Sequence, residues 1–159
     1  MHFDASGIIH AWDEYPIANF PKFWEWIETQ IKANACSISQ VALEEVEHKY
    51  EDCAKWLKDK GIRRVGLTNE ILLEADKIKE LLEIDEESYG SGVDEKDLLI
   101  IASAKLESDV LLTQEARQVI DPNRKKKNFK IPAVCGLPEV NVSHRNVREW
   151  IQSSTTTFG

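Results

Sequence analysis

The chain reads as an α/β protein whose mainly parallel sheet is covered by helices, and three observations carry that reading. Short apolar segments that suit strands alternate with longer segments of helical period along the whole length. Two of the strand signals, Met1 to Ala5 and Asp109 to Thr113, carry an acid at or just past the carboxyl end, Asp4 and Glu115. That is the edge at which open α/β sheets bind ligands. A third segment, Leu98-Leu99-Ile100-Ile101-Ala102-Ser103-Ala104, is too apolar for a surface helix and calls for burial.

The elements follow in order. Residues 1–5 form an apolar strand closed by Asp4, and a helix start at Ser6 opens helix 6–13. Phe20, Phe23, Trp24 and Ile27 recur at helical spacing and place a helix at 20–33. A strand at 35–38 leads into a helix over 39–59, where Ala42, Val46, Tyr50, Cys53 and Leu57 align as one core stripe. A short strand near 62–67 and a helix at 69–84 come next. Glu87 to Val93 contains Ser88, Gly90, Ser91 and Gly92 and reads as a flexible connector. Beyond it lie helix 94–107, strand 109–113, a helical turn from 115, late strands near 129–134 and 139–142, and helix 143–152. Residues 1–152 then make one domain, and 153–159 form a polar tail expected to fray.

Composition agrees with one core: the chain has 159 residues, 42% of them hydrophobic. No apolar stretch is long enough to span a membrane and the N-terminus lacks a signal-peptide pattern, so a cytoplasmic protein is expected. Cys36, Cys53 and Cys135 are odd in number and far apart, which suits neither a disulfide framework nor a zinc knuckle. They read as buried thiols.

The net charge of −8 is unevenly spread. Glu70 to Asp97 holds eleven acids and three lysines, whereas Arg117 to Lys130 holds six basic residues against Asp121. Arg117, Arg124, Lys125, Lys126, Lys127 and Lys130 thus form a basic lobe just after Glu115, suited to sequence-independent phosphate contacts. The competing reading is a solvated loop. Trp12, Trp24, Trp26, Trp56 and Trp150 are able to stack on bases, but helical spacing puts most of them in the core, with Trp26 on another face.

The acids carry the chemistry. Asp4 ends a strand, Glu45 lies early in a helix, Asp94 and Asp97 open the buried helix, and Glu115 follows another strand. Converging carboxylates raise one another's pKa unless a cation neutralises them. Ligands that are all oxygen suit Mg²⁺ or Mn²⁺. Metal-assisted phosphodiester hydrolysis follows from such a site. Each acid also has a structural reading: Asp4 or Ser6 as a helix cap, and Asp94 and Asp97 as favourable charges in a first turn. On the 39–59 helix, Glu44 and His48 point away from the core stripe, while Glu45 and Glu47 flank it; geometry alone leaves both.

These segments resemble the PIN-domain nucleases, a family that includes VapC-type toxins. Phe3-Asp4-Ala5-Ser6-Gly7-Ile8-Ile9 is similar to the family's strand, Asp-Thr-Asn/Ser and apolar run, with Ala5 in place of Thr. Val41-Ala42-Leu43-Glu44-Glu45-Val46 resembles the family's Glu segment and favours Glu45. Asp97-Leu98-Leu99-Ile100-Ile101-Ala102-Ser103-Ala104 is similar to the Asp-led helix, and Leu111-Leu112-Thr113-Gln114-Glu115 resembles the Leu-Val-Thr-x-Asp element with Glu115 in place of Asp. The likeness is nearest to a PIN subgroup of unassigned function.

The resemblance implies a PIN-like three-layer α/β/α domain and a metal-dependent endoribonuclease, a hydrolase of RNA acting as the toxin of a toxin-antitoxin pair. It implies that Asp4 and Asp97 bind Mg²⁺ or Mn²⁺, that Glu45 completes the inner group, that Asp94 and Glu115 tune it or bind a second ion, and that Ser6 and Thr113 brace carboxylates. RNA, an antitoxin protein and a second copy of the chain are the expected partners. A catalytically weak PIN-like binding module is the alternative. A phosphatase using Asp4 as nucleophile is disfavoured, because Ser6 stands where a second acid is wanted, and no Gly-rich loop supports an NTPase.

Overall fold

The computed structural model describes residues 1–158. Its elements are β1 (His2–Phe3), α1 (Ala5–Glu14), α2 (Pro21–Lys32), β2 (Ser37–Ser39), α3 (Gln40–Lys49), α4 (Glu51–Asp59), β3 (Arg63–Val65), α5 (Asn69–Leu81), α6 (Glu95–Leu106), β4 (Leu111–Leu112), α7 (Ile131–Cys135), β5 (His144–Arg145) and α8 (Val147–Ser153). A 3₁₀ turn covers Lys126–Asn128.

The five strands form one sheet in the order β3-β2-β1-β4-β5. Every pairing is parallel, with His2 aligned to Ser37 on one side and to Leu111 on the other. Helices flank this sheet, so the architecture is a three-layer α/β/α sandwich with a wholly parallel centre. The chain leaves β1 for β2 and β3, then returns to the other side of β1 for β4 and β5. The strand order therefore reverses between β1 and β4, which makes that point the expected ligand crevice.

Burial follows the apolar pattern. Phe3, Ile8 and Ile38 are fully buried under the sheet and helices, and in α6 Ile100, Ile101, Ala102 and Ala104 are sealed completely. Each fully buried Ile or Leu contributes about 1.5–3 kcal/mol relative to exposure. The uniform apolarity of α6 is thus a packing requirement, and it fixes the acids at its start. Cys36, Cys53 and Cys135 are free and buried. Burial pushes all three thiols up to about 12. No described helix is long and apolar enough to cross a membrane.

Several local expectations are corrected. The 39–59 helix is two, α3 and α4, broken at Tyr50 (φ −144, ψ 81), which is exposed and donates its hydroxyl to Asp13 at 2.9 Å. Residues 113–121 have no regular structure, so no helical turn starts at 115. Residues 129–134 hold no strand; Ile131–Cys135 is a helical turn with Pro132 in its first positions. Residues 139–142 are turn and coil, the last strand lies at His144–Arg145, and the last helix starts at Val147.

The connector is anchored rather than free: the Ser91 N–H donates to Asn128 Oδ1 at 3.0 Å and the Val93 N–H to Phe129 O at 2.9 Å. The tail also docks, placing Phe158 5.6 Å from the Phe23 ring and 5.4 Å from Trp26. Trp26 does leave the core face, but that face is covered from within the chain, since Trp150 lies 4.6 Å away. Trp24 meanwhile packs between Trp12 and Trp56.

Candidate functional site

The site is built outward from Asp4. Parallel pairing of β1 with β4 puts Asp4 beside Thr113, just past the two strand ends. Asp4 is only 3% exposed and stands at the N-cap position of α1, yet its side chain makes no capping bond. Its Oδ2 instead accepts from Ser6 Oγ and from Thr113 Oγ1, the latter at 2.9 Å. Ser6 therefore braces Asp4 rather than capping the helix, and it also accepts the Gln114 N–H at 2.9 Å. Burial raises the Asp4 pKa, opposed by the two hydroxyls and reinforced by the charges of Glu115 and Glu45.

This close approach of α1 to β4 depends on Gly7. A Cβ at that position would lie 2.5 Å from Leu112 O. Without a side chain there, Asp4 and Thr113 reach hydrogen-bonding distance.

Helix α3 brings Glu45. Ser39 caps this helix, its Oγ accepting the Ala42 N–H at 3.1 Å, so α3 starts at the carboxyl edge of β2. Glu44 and His48 face solvent, as the helical phase requires. Glu47 is exposed and pairs with Lys58 of α4. Glu45 acts on the Asp4 carboxyl electrostatically. Tertiary structure thus sets Glu45 toward Asp4 and Glu47 toward Lys58. One residue of this site was absent from the sequence reading: Lys49, whose Nζ donates to Glu45 Oε1 at 2.7 Å. Its pKa is raised by that bond first, with Asp4 and Asp97 also contributing. The sequence signal was the Glu-to-Lys spacing of four residues, which is common on solvated helices.

Helix α6 brings Asp97. Asp94 and Asp97 form a reciprocal capping box, in which Asp94 Oδ1 accepts the Asp97 N–H and Asp97 Oδ2 accepts the Asp94 N–H, both at 3.0 Å. Asp94 is thus the N-cap, just outside the helix, and exposed. Burial pushes the Asp97 carboxyl up to about 7, with Asp94, Asp4 and Glu115 adding to it and the backbone bond opposing. Asp109 takes no part; it pairs with the Met1 ammonium at 2.7 Å.

Glu115 closes the far side. Its Oε2 accepts the Ile131 N–H at 2.9 Å and so caps α7 from a distance. Above this contact, Gln118 Oε1 accepts the Lys130 N–H at 2.7 Å. The basic lobe is therefore clasped at its base by a site acid. Lys125, Lys126 and Lys127 line a separate cavity of about 240 Å³ with Leu82 and Glu83 at the end of α5. Arg117 is engaged with Glu149 at 2.8 Å.

The charges of Glu115 and Glu45 thus bear on Asp4, and those of Asp94, Asp4 and Glu115 on Asp97. Among the described residues, no three or more His, Cys, Asp or Glu side chains are placed so that they could hold a metal ion as they stand. Glu45 is held by Lys49, Asp97 by Asp94 and Glu115 by Ile131. Oxygen is nonetheless the donor type that a hard divalent cation takes. Asp4 keeps Oδ1 outside its two hydroxyl bonds, and each engaged carboxylate retains a second oxygen.

The family model for a domain of unknown function, DUF4411, matches residues 1–158. The chain belongs to that family. Membership in DUF4411 brings no activity with it, and the likeness to PIN nucleases rests on the motifs alone. No curated protein matches the chain.

Proposed function

We propose that this chain is a Mg²⁺- or Mn²⁺-dependent endoribonuclease, acting in the cytoplasm as the toxin of a toxin-antitoxin pair. The observation that supports it most is the buried Asp4 at the strand-order reversal, braced by two hydroxyls and surrounded by the charges of Glu45, Asp97 and Glu115. An anionic cluster of this kind is unfavourable until a cation enters it.

Asp4 and Asp97 would hold the ion directly, and Glu45 would complete the inner group once Lys49 withdraws. Asp94 and Glu115 tune the cluster from its margins. When bound, the divalent ion supplies a water of lowered pKa and neutralises charge on the phosphate. Ser6 and Thr113 keep the Asp4 carboxylate oriented and favour its ionised form. Lys125, Lys126, Lys127, Arg124 and Lys130 offer cations to the strand's other phosphates. RNA as the substrate and the antitoxin as partner come from the family resemblance.

Purified protein incubated with mixed cellular RNA and Mn²⁺ or Mg²⁺, with a chelator arm and an Asp97→Asn arm, tests this reading. Cutting that needs metal and disappears in the variant supports it. No cutting with either metal favours a second reading, a catalytically weak binding module. The Lys49–Glu45 ion pair favours that second reading, because an internal cation already neutralises part of the cluster.

A further inference from the structure

Beside the acids, the end of β4 opens a cavity of about 320 Å³ that shares Thr113 and Glu115 with the site and is walled further by Gln114, Arg117, His144 and Asn146. The other cavities fit a substrate strand less well. That between α5 and α6 holds only about 50 Å³, and that at Asp109 and Asn141 lies with the group pointing away from the acids.

Three features of the larger cavity specify its occupant. The first is contiguity: Thr113 donates to Asp4 at 2.9 Å, so a strand with one phosphate at the acids has a neighbouring nucleotide at this opening. The second is size, since 320 Å³ falls at the low end of the range of about 300–1,000 Å³ for small-ligand sites and suits one nucleoside.

The third is the chemistry of its wall. Gln114 Oε1 accepts the Val147 N–H at 3.4 Å and Asn146 Oδ1 accepts the Glu149 N–H at 2.8 Å. With both carbonyl oxygens used by backbone, the two side-chain amides keep their NH₂ groups as the unspent donors. Arg117 spends Nη2 on Glu149 at 2.8 Å and keeps its remaining N–H groups. His144 is half-buried and lines the cavity, and burial, then Arg117, holds its pKa below the usual imidazole value, so an uncharged aromatic side chain borders the space at neutral pH. A phosphate is disfavoured, because the carboxylates of Glu115 and Glu149 border the same space. A neutral, planar group rich in acceptors is favoured.

We infer that this cavity holds a nucleobase of the RNA strand next to the cleaved phosphate and is where the chain reads sequence. The inference rests on the nuclease reading for the path of the strand, and its test separates the two. Titration of ¹⁵N-labelled full-length protein with each of the four nucleoside 5′-monophosphates, against inorganic phosphate as control, is followed by amide shifts. At least one nucleotide should move Gln114, Ala116, His144 and Asn146 while phosphate alone does not. His144→Ala and the exposed Arg117→Gln should each weaken that nucleotide about tenfold, which corresponds to about 1.4 kcal/mol. In cleavage assays the same variants should alter which sites are cut.

Cavity shifts absent for all four nucleotides, reproduced by phosphate alone, or unchanged in both variants would overturn the inference. RNA cutting without nucleotide binding here removes the cavity and leaves the nuclease. Nucleotide binding here without any cutting does the reverse.

Discussion

Thr113 Oγ1 and Asp4 Oδ2 meet at 2.9 Å although 109 positions separate them in the chain, and their bond ties the ends of two adjacent strands around a carboxylate that is 3% exposed. A buried acceptor that loses its donor costs about 1–3 kcal/mol. Thr113→Val should destabilise the protein by that amount in urea unfolding and raise the Asp4 pKa further. Thr113→Ser keeps a hydroxyl and should stay within about 1 kcal/mol of the parent.

Asp97→Asn should abolish cleavage and leave the fold intact, because an amide oxygen still accepts the Asp94 N–H that now bonds Asp97 Oδ2. Its effect on stability depends on pH. The Asp97 carboxyl rises from 3.8 to about 7 on folding. The folded state therefore holds this proton more tightly, so the contribution is fully present at low pH and is lost as pH climbs through about 7. Metal-free Asp97→Asn should be more stable than the parent at pH 8, by up to about 4 kcal/mol for a shift of this size, and equal to it near pH 3.5. A variant less stable than the parent at pH 8 would contradict the desolvated acid.

Lys49 holds the Glu45 carboxylate that the proposed ion would need. Lys49→Gln should tighten Mn²⁺ binding by about tenfold at low ionic strength, with a smaller gain at high salt. Calorimetric titration reads this directly. Weaker binding in the variant would make Lys49 a positioning group for Glu45 rather than a rival of the metal.

Gly7→Ala should cost about 1–3 kcal/mol, because the new methyl meets the backbone of β4, which has no side-chain rotamer to move. At this chain length each kcal/mol lowers Tm by about 2–4 °C. The same displacement opens the Asp4–Thr113 contact, so Mn²⁺ affinity should fall along with Tm. A fall in Tm with unchanged metal affinity would separate the glycine from the site.

Metal itself should act as a stabiliser. A ligand bound only by the folded chain raises stability by about 2.7 kcal/mol at a hundred times its Kd. Thermal unfolding in metal-free buffer, then with Mn²⁺ or Ca²⁺ added in turn, should show the rise for Mn²⁺, and Asp4→Asn should remove it.

The positions of the acids were legible because each is local to its element: Asp4 and Glu115 flank apolar strands, and Asp97 starts a helix whose apolarity is unmistakable. Where the sequence misled, the deciding partner was distant. Ile131 to Cys135 is apolar with no clear period and suits strand or helix equally. Its first turn is stabilised by the Glu115 carboxylate 16 residues away. The break at Tyr50 has no Gly or Pro to announce it, and the hydroxyl bond from Tyr50 to Asp13 reaches back to α1. Glu45 and Glu47 differ only in what faces them, Lys49 and the site for one, Lys58 for the other. Helical phase cannot see those neighbours. The tail reads as polar, yet its one aromatic finds Phe23 and Trp26.

The clasp of Glu115 on Ile131, with the Gln118–Lys130 rung above it, turns the basic lobe into a hoop closed at its foot. Val119 is 90% exposed and Ile120 53%, so few core contacts constrain what that stretch contains. Lengthening such a loop is cheap, about 0.6 kcal/mol for each doubling. Changes of length or charge in this stretch should thus be tolerated while the carboxylates beneath it hold still.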